Sequence, residues 1–333
     1  MTQENTPRQP IADNAPWSLA DLLLRWESIL VFLLALVIFG NTFFSPYFLD
    51  IYNLSDATLN FSEKAIVALP MALLILVREI DLSVAAIVAV ASLATGLAAQ
   101  AGVPAPLLFL VGPAVGLACG LFNGTLVTRI GLPSIVVTIG TMSLFRGLAQ
   151  VVLGDQVIAD YPAAYTVFGQ SFLIKWPPLY LSFVLFIVLA IVFGVVLHKT
   201  AFGRKLYAIG NNPIAARFSG IPVSRIRFRL FALTGLLAGL AAALLTARIG
   251  STRPNIALGW ELEIITMVIL GGISIDGGTG KIVGVVLAVF IIGLITFGLS
   301  LLNVPGIVIS VLLGTMLIVS IAAPILIRRL IRR

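Results

Sequence analysis

Residues 199–229 read KTAFGRKLYAIGNNPIAARFSGIPVSRIRFR and form the long, strongly charged stretch between apolar segments of this chain. Seven of the 21 Lys and Arg residues fall within it, and it contains no Asp or Glu. In a chain this apolar, such a stretch must lie in water, on the side of a membrane where positive charge is retained. It therefore sets the orientation of the hydrophobic segments on either side.

Within this stretch, residues 212–220 predict a short helix. Asn212 is the expected N-cap, Pro213 takes the first helical position and Gly220 follows the last turn. From the residues alone, two interpretations stay open. The helix is either a docking surface for a cytoplasmic partner or an amphipathic segment that rests on lipid headgroups.

The composition is that of a helical membrane protein: 59% of residues are hydrophobic, 11% are charged and the mean hydropathy is +1.11. Water-soluble domains have about 25% charged residues. A transmembrane barrel would show short segments of alternating polarity, whereas the apolar runs here are continuous over about 20 residues. The chain has one cysteine, Cys119, and one histidine. An intramolecular disulfide is therefore impossible, and few ligands are present for a metal site. The +7 net charge lies at membrane boundaries, so we expect no nucleic-acid partner.

Ten apolar runs predict an all-α polytopic fold with both termini on one side. That side is predicted to be cytoplasmic, because it then holds 16 of the 21 basic residues. Residues 1–27 are interpreted as a cytoplasmic tail without signal-peptide features, 28–327 as the transmembrane domain and 328–333 as a basic cytoplasmic tail. The spans are predicted at 28–45, 64–78, 82–100, 105–128, 132–153, 179–198, 227–248, 260–276, 282–302 and 305–327.

Glycines recur every four residues in the fourth predicted span, at positions 112, 116, 120 and 124, and again at Gly235 and Gly239 in the seventh. Such a stripe lets another helix approach closely, and ordinary helix packing is a sufficient explanation for it. The outer segment 154–178 is long enough to hold a short helix over the outer mouth. A plain solvated connector is the interpretation that we favour for it.

Two breaks in the apolar pattern resemble each other: residues 78–83 read REIDLS, and residues 271–280 read GGISIDGGTG. They are separated by a constant offset of 193 residues, which indicates a weak internal repeat between spans 2–3 and 8–9. Three charges at the bilayer centre would cost about 9 kcal/mol, at about 3 kcal/mol each. We therefore expect them at a helix end, in a wet cavity or in a pair of Arg78 with Glu79 or Asp81.

The glycine-rich stretch 277–281 does not have the spacing of a P-loop, since Ile275 and Ile282 occupy two of the positions that matter. We expect no ATP binding by this chain. Polar residues predicted at membrane depth are the candidates for a translocation path, although each could also lie at a solvated helix end or bond a neighbouring helix. These candidates are Asp81, Asn123, Thr138, Arg146 and Glu261. Glu261 and Glu263 lie about 200° apart around a helix, so one would face a path and the other the interface beside Trp260.

Residues 200–221 closely resemble the cytoplasmic signature of permease subunits of bacterial monosaccharide ABC importers, the ribose-permease family. Three further stretches agree in order, namely 80–84, 123–147 and 261–280. The resemblance covers residues 28–326. It implies a translocation subunit that is not an enzyme, in the bacterial inner membrane.

The resemblance further implies a core of two permeases, each docked on a cytoplasmic ATPase that binds ATP and magnesium, with a periplasmic sugar-binding protein delivering substrate. This chain itself would hold no cofactor. The helix at 212–220 would be the coupling helix, with apolar side chains including Ala216 forming a compact face for the ATPase. The expected coupling residues are Gly203, Arg204, Asn212, Pro213, Ala215, Ala216, Arg217, Phe218, Ser219 and Gly220.

The chain departs from the family pattern at Arg78-Glu79, where most relatives have two glycines, and at Ala85, where they have one. This variant resembles rhamnose-type systems, which pair two unlike permeases. We therefore expect rhamnose, otherwise a ribose-like sugar, and a second permease that differs from this chain. The rival hypotheses are an ion-coupled secondary transporter that uses Glu79, Asp81 or Glu261, and a structural membrane scaffold that moves nothing.

Overall fold

A computed structural model describes residues 25–331, with side chains as far as residue 322. That part of the chain folds into thirteen α-helices and one two-stranded hairpin. Most of the predicted N-terminal tail (1–24) and residues 332–333 of the predicted C-terminal tail lie outside the described residues. The helices are α1 (Trp26–Phe44), α2 (Ile51–Leu76), α3 (Val84–Gln100), α4 (Ala105–Thr125), α5 (Ser134–Leu153), α6 (Ala163–Gln170), α7 (Leu181–Lys199), α8 (Ala201–Asn211), α9 (Pro213–Phe218), α10 (Val223–Ile249), α11 (Trp260–Leu270), α12 (Ile282–Leu301) and α13 (Gly306–Ile331). The antiparallel strands are β1 (Phe172–Lys175) and β2 (Pro178–Tyr180), and a π-helical turn (Leu126–Ile130) extends α4.

Each predicted span corresponds to one helix, and the all-α polytopic class is confirmed. Seven helices among the described residues are long and apolar enough to cross a membrane, and α13 is apolar over Gly306–Ala322. The prediction for span 260–276 is wrong in length, because α11 has 11 residues and covers about 16 Å of a hydrocarbon core about 30 Å thick. The prediction for span 64–78 misses the start of α2, where the Asp50 side chain accepts hydrogen bonds from two backbone amides of the first turn.

Direct backbone contact between α4 and α10 forms the centre of the bundle. A methyl group on Gly116 would overlap the carbonyl oxygen of Gly235, and one on Gly112 would meet the carbonyl oxygen of Gly239. Helices in a bilayer associate through van der Waals packing, which small residues allow at short range. The two glycine patterns in the sequence are therefore the two sides of one interface.

The helices around this interface are buried on nearly all sides. Residues 65–76 of α2 are all buried, as is most of α10 between Leu237 and Ala247. A helix that is apolar all round has to lie inside a protein or against lipid, and these two lie inside. By contrast, α1 and α5 leave large apolar side chains exposed, among them Phe32, Phe39 and Val151.

The outer segment between α5 and α7 is structured, so the prediction of a plain connector is wrong. It contains α6 and the hairpin, and the backbone of Ile158 pairs with that of Thr252. Tyr165 of α6 is fully buried and donates a hydrogen bond to the Ala243 carbonyl at 2.7 Å. Tyr161 shares a hydrogen bond with the Thr252 hydroxyl, and burial raises the pKa of Tyr161 to about 12. The aromatic residues of this segment therefore fasten it to α10 and to the loop that follows α10.

Both ends of the transmembrane domain extend beyond their predicted bounds. Helix α1 begins at Trp26, whose indole N–H donates to the Leu270 carbonyl at 2.9 Å, and Glu27 pairs with Lys281 at 2.7 Å. These contacts place the last two residues of the predicted N-terminal tail in the folded domain. At the other end, α13 continues to Ile331, so residues 328–331 of the predicted basic tail are helical.

Replacing Gly116 with Ala should destabilise the chain by about 2 kcal/mol or more, because the added methyl group forces α4 and α10 apart. The matched change Gly140→Ala on α5 meets no atom within 4 Å and should stabilise by up to about 1 kcal/mol through helix propensity. Thermal denaturation of both detergent-solubilised variants measures the difference. Equal melting temperatures for the two variants would contradict the backbone contact.

Candidate functional site

The docking segment, residues 200–222, begins with two capped helices. The Thr200 hydroxyl caps α8 by accepting from the Gly203 amide, and the Asn212 side chain caps α9 by accepting from the amides of Ile214 and Ala215 at 3.0 Å. Pro213 occupies the first turn of α9, and Gly220 follows it with a φ of 79°, a left-handed conformation that favours glycine. The short helix that the sequence predicts at 212–220 is confirmed, with its caps.

Helix α9 presents a small apolar face to solvent. Ile214 is 70% exposed and Phe218 is 89% exposed, which is unusual for side chains of this size. The other predicted coupling residues at this surface are exposed or half-buried, and they are Arg204, Asn212, Pro213, Ala215, Arg217, Ser219 and Gly220. Such a face is suited to a groove on a partner.

Two predicted coupling residues are buried and do not reach the surface of α9. Ala216 is 4% exposed and packs against the membrane helices, so its assignment to the partner face is wrong. The reason is helical geometry, since Ala216 lies on the side of α9 away from Phe218. Gly203 is buried where α8 turns back on α7, and a methyl group there would overlap the Leu197 carbonyl. Both residues support the docking segment from within.

The docking segment is anchored on the first break in the apolar pattern through Gly210. A methyl group on Gly210 would overlap the Leu76 carbonyl and the Gly278 amide, so three backbone segments meet at this point. The Arg78 side chain strengthens this contact by donating to the carbonyls of Gly210 and Asn211 at 2.7 and 2.9 Å. The end of α8 is thereby held in direct contact with the end of α2.

The second break is joined to the same point. The Gly278 amide donates to the Leu76 carbonyl at 2.9 Å, and the Tyr207 hydroxyl donates to the Gly280 carbonyl at 2.7 Å. Burial raises the pKa of Tyr207, so its phenol remains a protonated donor at neutral pH. The two repeats thus meet beneath α8.

The charges of the first break pair differently from the prediction. Arg78 contacts backbone carbonyls, and Glu79 pairs with Arg227 of α10 at 2.8 Å. The predicted pair of Arg78 with Glu79 or Asp81 is therefore wrong. Arg78 has a φ of 66°, which turns the chain toward the docking segment.

Asp81 is fully buried in a polar cluster at the start of α3. Its carboxylate accepts from the backbone amide of Ser83 at 2.9 Å and from the Ser83 hydroxyl at 2.6 Å. Asn123 of α4 donates to the same hydroxyl at 2.8 Å and approaches the carboxylate at 3.4 Å. Among the described residues, the side-chain amide oxygen (Oδ1) of Asn123 has no hydrogen-bond partner. Asp81 and Asn123, predicted separately from the sequence, therefore belong to one cluster.

Arg146 of α5 binds backbone carbonyls. It donates to Pro254 at 2.9 Å, to Ile256 at 2.7 Å and to Ala85 at 3.2 Å. Since a guanidinium has five N–H donors in a fixed fork, it can tie three segments together. Arg146 thereby ties the loop before α11 to the start of α3.

The remaining path candidates are Thr138 and Glu261. Thr138 is fully buried and its hydroxyl donates to the Ile80 carbonyl at 3.4 Å. Glu261 opens α11 and is half-buried. Glu263 lies on the other side of α11 and pairs with Lys64 at 2.5 Å, so the predicted separation of the two carboxylates holds. Trp260 is 8% exposed, which is too buried for the interfacial anchor that the sequence suggests.

Four residues that make these contacts escaped the sequence reasoning, although each is in a stretch that the sequence analysis considered. Gly210 and Tyr207 are part of the quoted charged stretch, but only distances show that they touch the two breaks. In the sequence, Arg227 is one of the basic residues that indicate the orientation of the spans. In the structure it forms an ion pair with Glu79. Ser83 follows Asp81 by two residues, a spacing that favours a local side-chain hydrogen bond.

Replacing Asp81 with Ala should cost about 2–4 kcal/mol, because buried donors of Ser83 and Asn123 lose their acceptor. Asp81→Asn keeps one carbonyl oxygen and removes the buried charge, so it should lie within about 1 kcal/mol of the unchanged chain. Chemical denaturation of the solubilised chain compares the two. A loss from Asn as large as that from Ala would show that the negative charge itself is needed.

Comparison with known proteins adds independent evidence. Residues 53–321 match the family described as "Branched-chain amino acid transport system / permease component". The chain is 36% identical over 300 residues to the autoinducer 2 import system permease protein LsrD of Escherichia coli strain K12, covering 88% of this chain and 90% of that protein. The LsrD proteins of Shigella flexneri and Escherichia coli O157:H7 give the same values. No solved structure matches the chain.

The family match covers most of the chain, including both breaks and the whole docking segment. Members of this family are translocation components of importers and are not enzymes. The rhamnose assignment gains no support, because the relatives named above are autoinducer 2 permeases. The chain therefore belongs to the permease family of ABC importers, as a relative of the LsrD import permeases.

Proposed function

We propose that this chain is one permease of a two-permease importer that moves autoinducer 2, or a small hydroxylated solute of similar kind, into the cytoplasm. The observation that carries the proposal is its 36% identity to LsrD over nearly the whole of both chains. The printed family name refers to branched-chain amino acids. Leucine therefore belongs in any test as the competing solute.

The docking segment supports coupling to a separate ATPase. Ile214 and Phe218 offer an apolar face that the rest of the chain does not cover, and capping at Asn212 holds the short helix in one orientation. ATP and magnesium would bind the ATPase. A periplasmic binding protein would deliver the solute to the opposite side, where α6 and the hairpin lie.

The contact at Gly210 gives a physical route for coupling. A push on α9 passes to α8, and from there to the Leu76 carbonyl and the Gly278 amide. Because these segments are in backbone contact, they cannot move independently without a rearrangement. Both breaks would therefore respond together when the ATPase closes.

The exposed apolar faces of α1 and α5 are suited to lipid and to the second permease. We favour a second permease that differs from this chain, with an identical copy as the other outcome. The positive-inside distribution supports cytoplasmic termini. The ion-coupled alternative is weaker, since Glu79 is paired with Arg227 and the Asp81 carboxylate is held by donors of Ser83 and Asn123.

Uptake of autoinducer 2 should require an ATPase partner and should survive an uncoupler. We expect cells that express the chain with its neighbouring import genes to accumulate autoinducer 2, and to lose that uptake when the ATPase is inactivated. Ribose, rhamnose and leucine are measured in parallel. Uptake that stops with the uncoupler and persists without the ATPase would favour a secondary transporter.

Replacing Phe218 with Ala should lower uptake at least tenfold, since a hot-spot side chain at a docking surface contributes about 2 kcal/mol or more. The permease should still reach the membrane, because Phe218 makes little contact within the chain. Leu110→Ala is the matched control, a large exposed apolar residue on α4, a helix to which no partner is assigned. If Phe218→Ala transports normally, α9 is not the coupling helix.

A further inference from the structure

A polar cavity of about 450 Å³ lies at the end of the bundle opposite the docking segment. Its lining comes from helices α2, α10, α11, α12 and α13 and from the loop before α11. Its polar lining includes Asn60, Lys64, Arg248, Glu263, Thr296 and Ser310. The volume is in the range of small-molecule sites in proteins.

The charges at this cavity cancel in pairs. Lys64 pairs with Glu263 at 2.5 Å, and Arg248 pairs at 2.7 Å with Glu63, which is fully buried behind it. The two cations and two carboxylates leave no net charge. A charged solute would have to break one of these pairs in order to gain a partner, so the cavity favours a neutral ligand.

The hydrogen-bonding groups at the cavity are of both kinds. The hydroxyls of Thr296 and Ser310 donate to carbonyls of their own helices, so their oxygens are left to accept. Lys64 has three donor hydrogens and spends one on Glu263, and Arg248 has N–H groups beyond the one that meets Glu63. Hydroxyl groups both donate and accept, which suits such a lining.

Apolar side chains complete the wall of the cavity. Ile256 and Phe297 are among them, and Trp260 lies beneath the Lys64 ammonium at 5.4 Å from the ring centroid. A combination of paired charges, hydroxyl oxygens and apolar surface matches a compact ring that carries hydroxyl groups on its edge. It matches a lipid tail or an ion poorly.

The cavity is distinct from the predicted path. None of the five predicted path candidates lines the cavity, and helical geometry places Glu263, which does, about 200° around α11 from Glu261. We propose that this cavity binds a neutral, polyhydroxylated solute of monosaccharide size before it reaches the path. The inference rests on the proposed function, because it supposes that such a solute is the cargo.

Cysteine protection in the complete importer tests the proposal. Ser310→Cys places a thiol in the cavity and Ser171→Cys places one on the outer segment, while the natural Cys119 is buried and is replaced by Ser in both variants. Intact cells expressing all subunits are treated with a membrane-impermeant maleimide. Autoinducer 2, ribose or leucine is present at increasing concentration.

We expect the thiol at position 310 to react, and autoinducer 2 or ribose to slow that reaction about tenfold when they occupy the site, in proportion to occupancy. Leucine should not protect it, and none of the solutes should protect position 171. Failure to label position 310 while position 171 reacts would overturn the proposal, since the cavity would then be closed to solutes.

Uptake by the same cells separates this inference from the proposed function. Normal uptake of autoinducer 2 without protection at position 310 would overturn the cavity proposal alone. Uptake of leucine in place of autoinducer 2, together with protection by leucine, would overturn both. Protection by a neutral solute that the cells also import would support both.

Discussion

Backbone contact between α4 and α10 is the constraint on which the rest of the structure depends. In a bilayer, apolar side chains gain little by leaving lipid for protein, so the association of helices depends on how closely they pack. Glycines at positions 112, 116, 235 and 239 bring two helix backbones together. Because α10 then packs against α2, α3 and α6 as well, the position of this one helix orders much of the bundle.

The same device recurs where the docking segment meets the membrane domain. Gly210, Leu76 and Gly278 touch through backbone atoms, and Arg78 fastens the contact through two carbonyls. Side chains at such a contact could change rotamer to absorb a displacement, whereas backbone atoms in direct contact cannot move past one another without a rearrangement. A segment that lies in water is thus linked rigidly to both breaks in the membrane helices.

Polar groups inside the domain are held by one another or by the backbone. Asp81 is surrounded by donors from Ser83 and Asn123, and Arg146 binds three carbonyls. Glu79 and Glu263 each pair with a cation on another helix. Within a low dielectric an unpaired charge costs several kcal/mol, so these partners explain how a chain this apolar tolerates charges at depth. They also make the polar residues joints between helices.

The sequence by itself determined the class, the places of the ten apolar helices, the short capped helix and the family, because these follow from hydropathy, capping residues and local motifs. It also predicted that Glu261 and Glu263 lie on different sides of one helix, because the helical period is a local property. Only the tertiary structure decided that Ala216 faces inward, that Arg78 contacts the docking segment, that α11 is too short to span and that 154–178 is ordered. Apart from the length of α11, each of these depends on residues that are 50 or more positions apart, or on which side of a helix meets a neighbour. Local patterns in a sequence carry no such distances.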